Sequence, residues 1–129
     1  MLHKKILLVD DDADDLHFFF EAIKEIDPTL ICAFANNGLE AIEHLNKVPP
    51  LPSLIFLDLN MPGMSGIEFI EKIRPAYKTL PVVMYTTSSA PEDKIKTRAA
   101  GANYFLTKQS DFHKIKAQLL EVLEMDLSV

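Results

Sequence analysis

The stretch that decides the fold is LIFLDLNMPGMSGIEFI, from Leu54 to Ile70. Its first four residues form a continuous apolar run that stops at Asp58, a pattern typical of a short strand covered on both faces. A proline- and glycine-containing loop follows. Ser65, with Glu68 three residues later, then predicts a capped helix whose apolar residues recur on one side, at Ile67, Ile70 and Ile73.

The same strand-then-helix unit recurs five times along the chain. Short apolar runs predict strands at Lys5–Val9, Leu30–Phe34, Leu54–Leu57, Pro81–Tyr85 and Asn103–Leu106. Helical periodicity follows each run, beginning at Ala13, after the caps Asn37 and Ser65, at Pro91 and after the cap Ser110.

This strict alternation predicts an α/β fold, in which a parallel sheet carries helices on both faces and right-handed crossovers join the strands. Five units in 129 residues predict an open sheet and a single domain over 1–129, because a closed eight-unit barrel needs about 250 residues. Ligands of such sheets bind beyond the carboxyl ends of the strands. We therefore expect the functional residues at the carboxyl ends of the strands.

Composition and charge exclude several classes of protein. With 13 Lys+Arg against 19 Asp+Glu, the net charge of −6 has the wrong sign for neutralising nucleic-acid phosphates. The single cysteine, Cys32, can form neither an intramolecular disulfide nor a thiolate metal cluster. The apolar run before Asp10 is too short for a signal peptide, and no apolar stretch is long enough to span a membrane. We expect no nucleic-acid or membrane partner and a cytoplasmic location.

Three carboxylates follow strands that the predicted sheet brings together. Asp10 and Asp11 come after the first strand and Asp58 after the third. Gathered in one crevice, these groups would repel one another unless a cation lay between them. Mg²⁺ prefers oxygen ligands and keeps positions for water or phosphate, so the pattern predicts a Mg²⁺ site to which the backbone carbonyl of Asn60 could contribute.

Two further strand ends carry groups that can bind a phosphoryl oxygen. Thr86 follows the fourth strand and offers a hydroxyl, and Lys108 follows the fifth and offers a positive charge. A carboxylate beside a divalent cation can act as a nucleophile toward a phosphoryl group. Taken singly each residue is ordinary in a loop, but together they predict phosphoryl transfer to an aspartate.

Four motifs in this order and spacing resemble one known family. They are ILLVDDD at 6–12, LIFLDLNMPGMSGIEFI at 54–70, PVVMYTTS at 81–88 and AAGANYFLTK at 99–108. The chain resembles, over essentially its whole length, the receiver domain of two-component response regulators in its stand-alone, chemotaxis-regulator-like form. The resemblance implies a doubly wound, flavodoxin-like (βα)5 sandwich with strand order 2-1-3-4-5. The TTS run and the LTK without a following proline are similar to the phytochrome-associated type.

The resemblance also implies a role for each strand-end residue. The family pattern makes Asp58 the phosphoacceptor, with Asp10 and Asp11 as the acid pair that holds Mg²⁺, Thr86 as the phosphate-sensing hydroxyl, Lys108 as the phosphate-binding lysine and Phe105 as the switch aromatic. The phosphoryl donor would be a sensor histidine kinase or a histidine phosphotransfer protein. Because the receiver takes up the whole chain, we expect output by docking to a downstream protein target or by onward passage of the phosphoryl group, from a monomer or weak homodimer.

Other interpretations stay open at this point. A receiver-like module could bind partners without phosphorylation, although such modules usually have a degraded acidic set. A Mg²⁺-dependent phosphatase would want an acid two residues after its nucleophile, where this chain has Asn60. A flavodoxin-like electron carrier is disfavoured by the absence of tryptophan and by the strand-end carboxylates. We expect no catalysis beyond Mg²⁺-dependent self-phosphorylation and self-dephosphorylation.

Two further features are the acidic residues at the start of the first helix and the residue that follows Lys108. Asp12 is expected to cap the first helix, with Asp14 and Asp15 complementing the positive end of its dipole. Receiver domains usually have proline directly after the lysine, whereas this chain has Gln109, so the loop into the last helix could follow a different path.

Overall fold

A computed structural model describes residues 3–127 of the chain. Five strands alternate with five helices in the described part. In chain order they are β1 (Lys5–Val9), α1 (Ala13–Ile26), β2 (Ile31–Ala35), α2 (Gly38–Lys47), β3 (Leu54–Leu57), α3 (Gly66–Ile73), β4 (Val82–Thr86), α4 (Pro91–Ala100), β5 (Tyr104–Thr107) and α5 (Phe112–Leu123).

All strand pairs in the sheet are parallel, and the strand order is β2-β1-β3-β4-β5. The order reverses between β1 and β3, because the chain first adds a strand on one side of β1 and then continues on the other. The predicted α/β class and the strand order 2-1-3-4-5 are both confirmed.

Two apolar clusters lie on opposite faces of the sheet, because alternate residues of each strand point to opposite sides. On one face α1 and α5 pack over Ile6, Leu8 and Phe56. On the other, α2 and α3 pack over Leu7, Val9 and Leu57. Burial on both faces explains why β3, and β1 after Lys5, consist of uninterrupted apolar residues.

Three predicted strands are shifted by one residue in the structure. β2, β4 and β5 each begin and end one position later than the sequence pattern suggests. The shift matters at β4, where Thr86 is the last residue of the strand instead of the first residue of a loop. The sequence cannot fix these ends, because the limits of a strand are set by backbone hydrogen bonding and not by the polarity of the side chains.

The helix starts agree with the predicted caps except at the last helix. Asp12, Asn37 and Ser65 each accept hydrogen bonds from backbone amides of the helix that follows. At α5 the predicted cap Ser110 is wrong, since Asp111 is the N-cap and accepts from the His113 amide at 2.8 Å. Ser110 and Asp111 both have side chains that can cap a helix, so the sequence alone does not determine which of them is the N-cap.

No helix among residues 3–127 combines the length and apolar character that crossing a bilayer requires.

Candidate functional site

The sheet register brings the polar strand ends to one edge. Val9 pairs with Leu57, so Asp10 and Asp58 follow side by side, and the Asp58 amide donates to the Val9 carbonyl at 2.9 Å. Thr86 pairs with Thr107, and the next amide, that of Lys108, donates to the Thr86 carbonyl at 2.7 Å. Backbone hydrogen bonds that extend the ladder thus fix the positions of these side chains.

Three of the predicted metal ligands form one cluster. Asp10, Asp11 and Asp58 each place a carboxylate oxygen within 4.8 Å of the others. Asp10 is fully buried and Asp58 is 8% exposed, whereas Asp11 faces solvent. An all-oxygen, multiply charged donor set with one open side suits Mg²⁺, which keeps several water ligands. The residues therefore fit the predicted cation; a role for the Asn60 carbonyl stays a prediction.

Lys108 is the cation among these carboxylates. Its Nζ atom lies 2.7 Å from Asp10 Oδ2, 2.7 Å from Asp15 Oδ2 and 3.8 Å from Asp58 Oδ2. The Lys108 side chain is only 8% exposed. Although Gln109 stands where the family usually has proline, the lysine still reaches the acidic cluster. Its position between the carboxylates offsets much of their mutual repulsion.

Burial and charge both perturb the titration of the cluster. Burial raises the pKa of Asp58 to about 6, with help from the Asp10 charge, while Lys108 acts in the opposite direction. Burial likewise raises the pKa of Asp10, against the hydrogen bond from Lys108. For Lys108 itself, burial acts to lower the pKa, but the hydrogen bonds to Asp10 and Asp15 outweigh it and the pKa is raised.

The loop after Asp58 folds back against the start of α3. The Gly66 amide donates to the Leu59 carbonyl at 2.9 Å. A Cβ atom on Gly66 would lie 2.6 Å from the Asp58 carbonyl oxygen and 3.1 Å from the Leu59 Cα atom. Glycine is therefore required for this close approach, which holds the backbone of the predicted phosphoacceptor against the helix.

Thr86 lies at the end of β4 and is completely buried. Its hydroxyl oxygen accepts a hydrogen bond from the Ser88 amide at 3.3 Å. The Ser88 hydroxyl donates to Asp93 Oδ2 at 2.6 Å, and its carbonyl accepts from the Thr107 hydroxyl at 2.9 Å. The Thr86 hydroxyl is thus linked through Ser88 to the first turn of α4 and to the end of β5.

Phe105 lies between the core and the surface next to α4. Its ring is partly buried and packs against the apolar cluster beneath α2 and α3. The Lys94 ammonium lies 5.8 Å from the ring centroid. An open pocket of about 260 Å³ lies beside the ring, lined by Lys94, Thr97, Arg98, Ala102, Tyr104 and Phe105. The predicted switch aromatic therefore borders a space on the α4–β5 surface.

Sequence reasoning missed two members of the site. Asp15 was expected only to complement the dipole of α1, but its carboxylate also binds Lys108. The Ser88–Asp93 bond was not anticipated at all. Neither contact leaves a signal in the sequence, because 93 residues separate Asp15 from Lys108 and because a serine near a helix start is common.

Residues 6–120 match the family model described as the response regulator receiver domain. The chain belongs to this family. Receiver domains are generally non-enzymatic signalling modules, and they interact with histidine kinases or phosphotransfer proteins. The family resemblance inferred from the four motifs is confirmed.

Two curated relatives illustrate the range of receiver-containing proteins. The transcriptional regulatory protein TctD of Salmonella typhimurium is 32% identical over 119 residues, which cover 92% of this chain and 51% of TctD. The chain thus spans about half the length of this relative. Response regulator Rcp1 of Synechocystis is 38% identical over 114 residues, covering 81% of this chain and 76% of Rcp1.

Solved structures of receiver domains have the same fold. The phosphorylated cyanobacterial phytochrome response regulator RcpA superposes with a TM-score of 0.85 at 29% identity, covering 95% of this chain and 92% of RcpA. A Mn²⁺-bound form of Rcp1 superposes with a TM-score of 0.75 at 31% identity, covering 92% of this chain and 91% of the solved one. Both stand-alone and phytochrome-associated regulators are therefore among the relatives.

Proposed function

We propose that this receiver domain accepts a phosphoryl group on Asp58 from the phosphohistidine of a sensor histidine kinase or a histidine phosphotransfer protein. One observation carries the proposal. The Asp58 carboxylate lies in a cluster with Asp10 and Asp11 and 3.8 Å from the buried ammonium of Lys108. A nucleophilic oxygen, ligands for a divalent cation and a fixed positive charge thus meet at the open edge of the sheet.

The transfer step requires little more than positioning. An Asp58 carboxylate oxygen forms a bond to phosphorus while the bond from phosphorus to the donor imidazole nitrogen breaks, and that nitrogen keeps the electron pair. Lys108 faces the charge that arrives on the phosphoryl oxygens, and Thr86 can donate its hydroxyl to one of them. Asp10, Asp11, Asp58 and the Asn60 carbonyl would hold Mg²⁺, which supplies charge neutralisation when bound.

The same residues suggest how the signal leaves the site. A phosphoryl group adds about 1.5 to 2 negative charges at Asp58. If the Thr86 side chain turns toward that charge, the hydrogen bond from the Ser88 amide to the Thr86 hydroxyl oxygen breaks. The loop before α4 then loses one of the contacts that hold it in place. Phe105 borders the adjacent pocket and can fill space that the loop vacates. We infer that the α4–β5–α5 surface then docks a downstream protein target.

The alternative function, a module that binds partners without phosphorylation, gains no support from the site. Such a module has no need for a complete acidic set beside a buried ammonium, yet Asp10, Asp11 and Asp58 form one cluster and Lys108 lies 3.8 Å from Asp58. We propose that residues 1–129 act as one receiver unit whose only catalysis is its own phosphorylation and dephosphorylation. A cytoplasmic location remains a prediction from the sequence.

Incubation with Mg²⁺ and acetyl phosphate, followed by intact-mass measurement, tests the proposal. We expect the wild-type protein to gain one phosphoryl group and Asp58→Asn to gain none. Asp14→Asn, which removes an exposed carboxylate outside the cluster, serves as the matched control and should gain one group. A wild-type protein that gains nothing from acetyl phosphate and phosphoramidate would favour the interaction-only alternative.

A further inference from the structure

Lys108 is shared by three carboxylates at unequal distances. Asp10 and Asp15 each lie 2.7 Å from its Nζ atom, within hydrogen-bond range, whereas Asp58 lies 3.8 Å away. An ammonium has three protons to donate. Asp15 accepts a hydrogen bond from the ammonium and Asp10 forms an ion pair with it, so these two carboxylates, and not Asp58, determine where the ammonium rests.

Asp15 differs from Asp10 and Asp58, the other two carboxylates near Lys108. Asp10 and Asp58 belong to the cluster that can hold a divalent cation, but Asp15 does not. Asp15 belongs to the first turn of α1, where its own amide is held by the Asp12 side chain at 3.0 Å. That cap fixes the helix start beside Lys108, and the Asp15 side chain is 34% exposed. Its contact with the lysine is thus separable from metal binding.

We propose that Asp15 is a positioning residue that opposes phosphoryl binding at Asp58 by holding Lys108 in the resting state. The inference rests on the proposed function, since it concerns the same lysine and the same phosphoryl group. Moving the ammonium from its resting place toward a phosphoryl oxygen on Asp58 stretches its charge-assisted hydrogen bond to Asp15. The Asp15 charge also repels the incoming phosphoryl group. Both effects weaken the binding of a phosphoryl group at the Asp58 site.

The test is a titration with beryllofluoride, a non-covalent mimic of the phosphoryl group, in the presence of Mg²⁺. It measures how tightly the Asp58 site binds the mimic. We expect Asp15→Asn to bind beryllofluoride roughly three- to tenfold more tightly than wild type, the range for one partly exposed charged contact. The neighbouring Asp14→Asn makes the same change in net charge without touching the Lys108 contact, so it should stay within about twofold of wild type.

The direction of the change separates positioning from structural damage. A merely structural role for Asp15 would weaken binding, whereas the positioning role tightens it. Crystal structures without beryllofluoride give a second readout, in which the Lys108 Nζ to Asp58 Oδ2 distance should shorten from 3.8 Å in Asp15→Asn. Unchanged or weaker binding by Asp15→Asn, or equal tightening in Asp14→Asn, would overturn this inference alone. A wild-type protein that binds no beryllofluoride would overturn both this inference and the proposed function.

Discussion

The Nζ atom of Lys108 lies 3.8 Å from Asp58 Oδ2, close enough for Coulomb attraction but too far for a hydrogen bond. The same ammonium is within hydrogen-bond range of Asp10, whose side chain has no exposed surface. The lysine thus neutralises the pocket while Asp58 keeps an oxygen free to react.

Removing the lysine charge should destabilise the protein in a way that a divalent cation repairs. Lys108→Gln leaves the buried Asp10 carboxylate without its cation. We expect the free energy of unfolding at neutral pH to fall by about 2–4 kcal/mol, as when one partner of a buried ion pair is removed. Urea denaturation with and without Mg²⁺ measures the loss, which should shrink when Mg²⁺ is present.

Lys114→Gln is the matched control for this lysine, because Lys114 is an exposed residue of α5. It should change stability by less than about 0.5 kcal/mol. Equal losses in the two variants, or a loss for Lys108→Gln that Mg²⁺ leaves unchanged, would contradict the neutralising role of Lys108.

The raised pKa of Asp58 makes stability depend on pH. Because burial raises this pKa to about 6 in the folded protein, the folded state holds the proton more tightly than the unfolded state, whose pKa is near 3.8. The contribution of Asp58 to the stability of the wild-type protein should therefore fall as pH rises from about 4 to 6, and the loss should persist above that range. Without divalent cations, Asp58→Asn should be about 1–3 kcal/mol more stable at pH 8, and equally stable near pH 3.5.

Thermal denaturation across this pH range, in buffer containing a chelator, checks the sign. Asp14→Asn serves as control and should follow the wild-type pH profile. An Asp58→Asn protein that is less stable than wild type at pH 8, or equally stable at every pH, would argue against a carboxylate whose ionisation is resisted by burial.

Magnesium affinity should depend on Asp11 and on pH. Asp11 is the exposed member of the carboxylate cluster, so Asp11→Asn should weaken Mg²⁺ binding by about tenfold or more with little effect on folding. The affinity of the wild-type protein should fall as pH drops below about 6, because Asp58 must be deprotonated to bind the cation. Isothermal titration calorimetry measures both effects. Affinities that are equal in wild type and Asp11→Asn would place the cation elsewhere.

Two glycines at equivalent helix positions give a matched test of the phosphoacceptor loop. Gly66 and Gly38 begin α3 and α2. A Cβ atom at Gly66 would meet backbone atoms of Asp58 and Leu59, whereas at Gly38 its three nearest neighbours would all be atoms of the Met64 side chain. Gly66→Ala should therefore destabilise the protein by about 1–3 kcal/mol and slow phosphoryl uptake, and Gly38→Ala should do less of both.

Urea denaturation and the rate of mass gain from acetyl phosphate measure these two variants. If Gly38→Ala proves as damaging as Gly66→Ala, close backbone packing at Asp58 is not what positions the phosphoacceptor.

Much of the fold could be predicted because the spacing of apolar residues and the helix-capping residues both act over a few neighbouring positions. The continuous apolar run in β3 and the capping aspartate at Asp12 each act within a few residues. Likewise Phe18, Phe19 and Phe20 cannot all face inward on one helix, and the structure leaves Phe18 48% exposed with Phe19 fully buried. Such choices depend only on helix geometry.

The contacts that the sequence did not reveal are those made between distant elements. The Arg74 guanidinium donates to the carbonyls of Tyr77, Leu80 and Gly101, and so joins the end of α3 to the turn before β5. An arginine at the end of a helix is usually solvated, so nothing local distinguishes this one. Asp15 was missed for the same reason, since its lysine partner is brought near only by the packing of the fold.

The most direct test of the central claim is to locate the phosphoryl group. An aspartyl phosphate is an acyl phosphate, which borohydride reduces to homoserine. The protein is phosphorylated with Mg²⁺ and acetyl phosphate, treated with borohydride, digested and sequenced by mass spectrometry. We predict homoserine at position 58 only, and none when Mg²⁺ is removed by a chelator. Homoserine at Asp10 or Asp11, or full modification without Mg²⁺, would contradict the account.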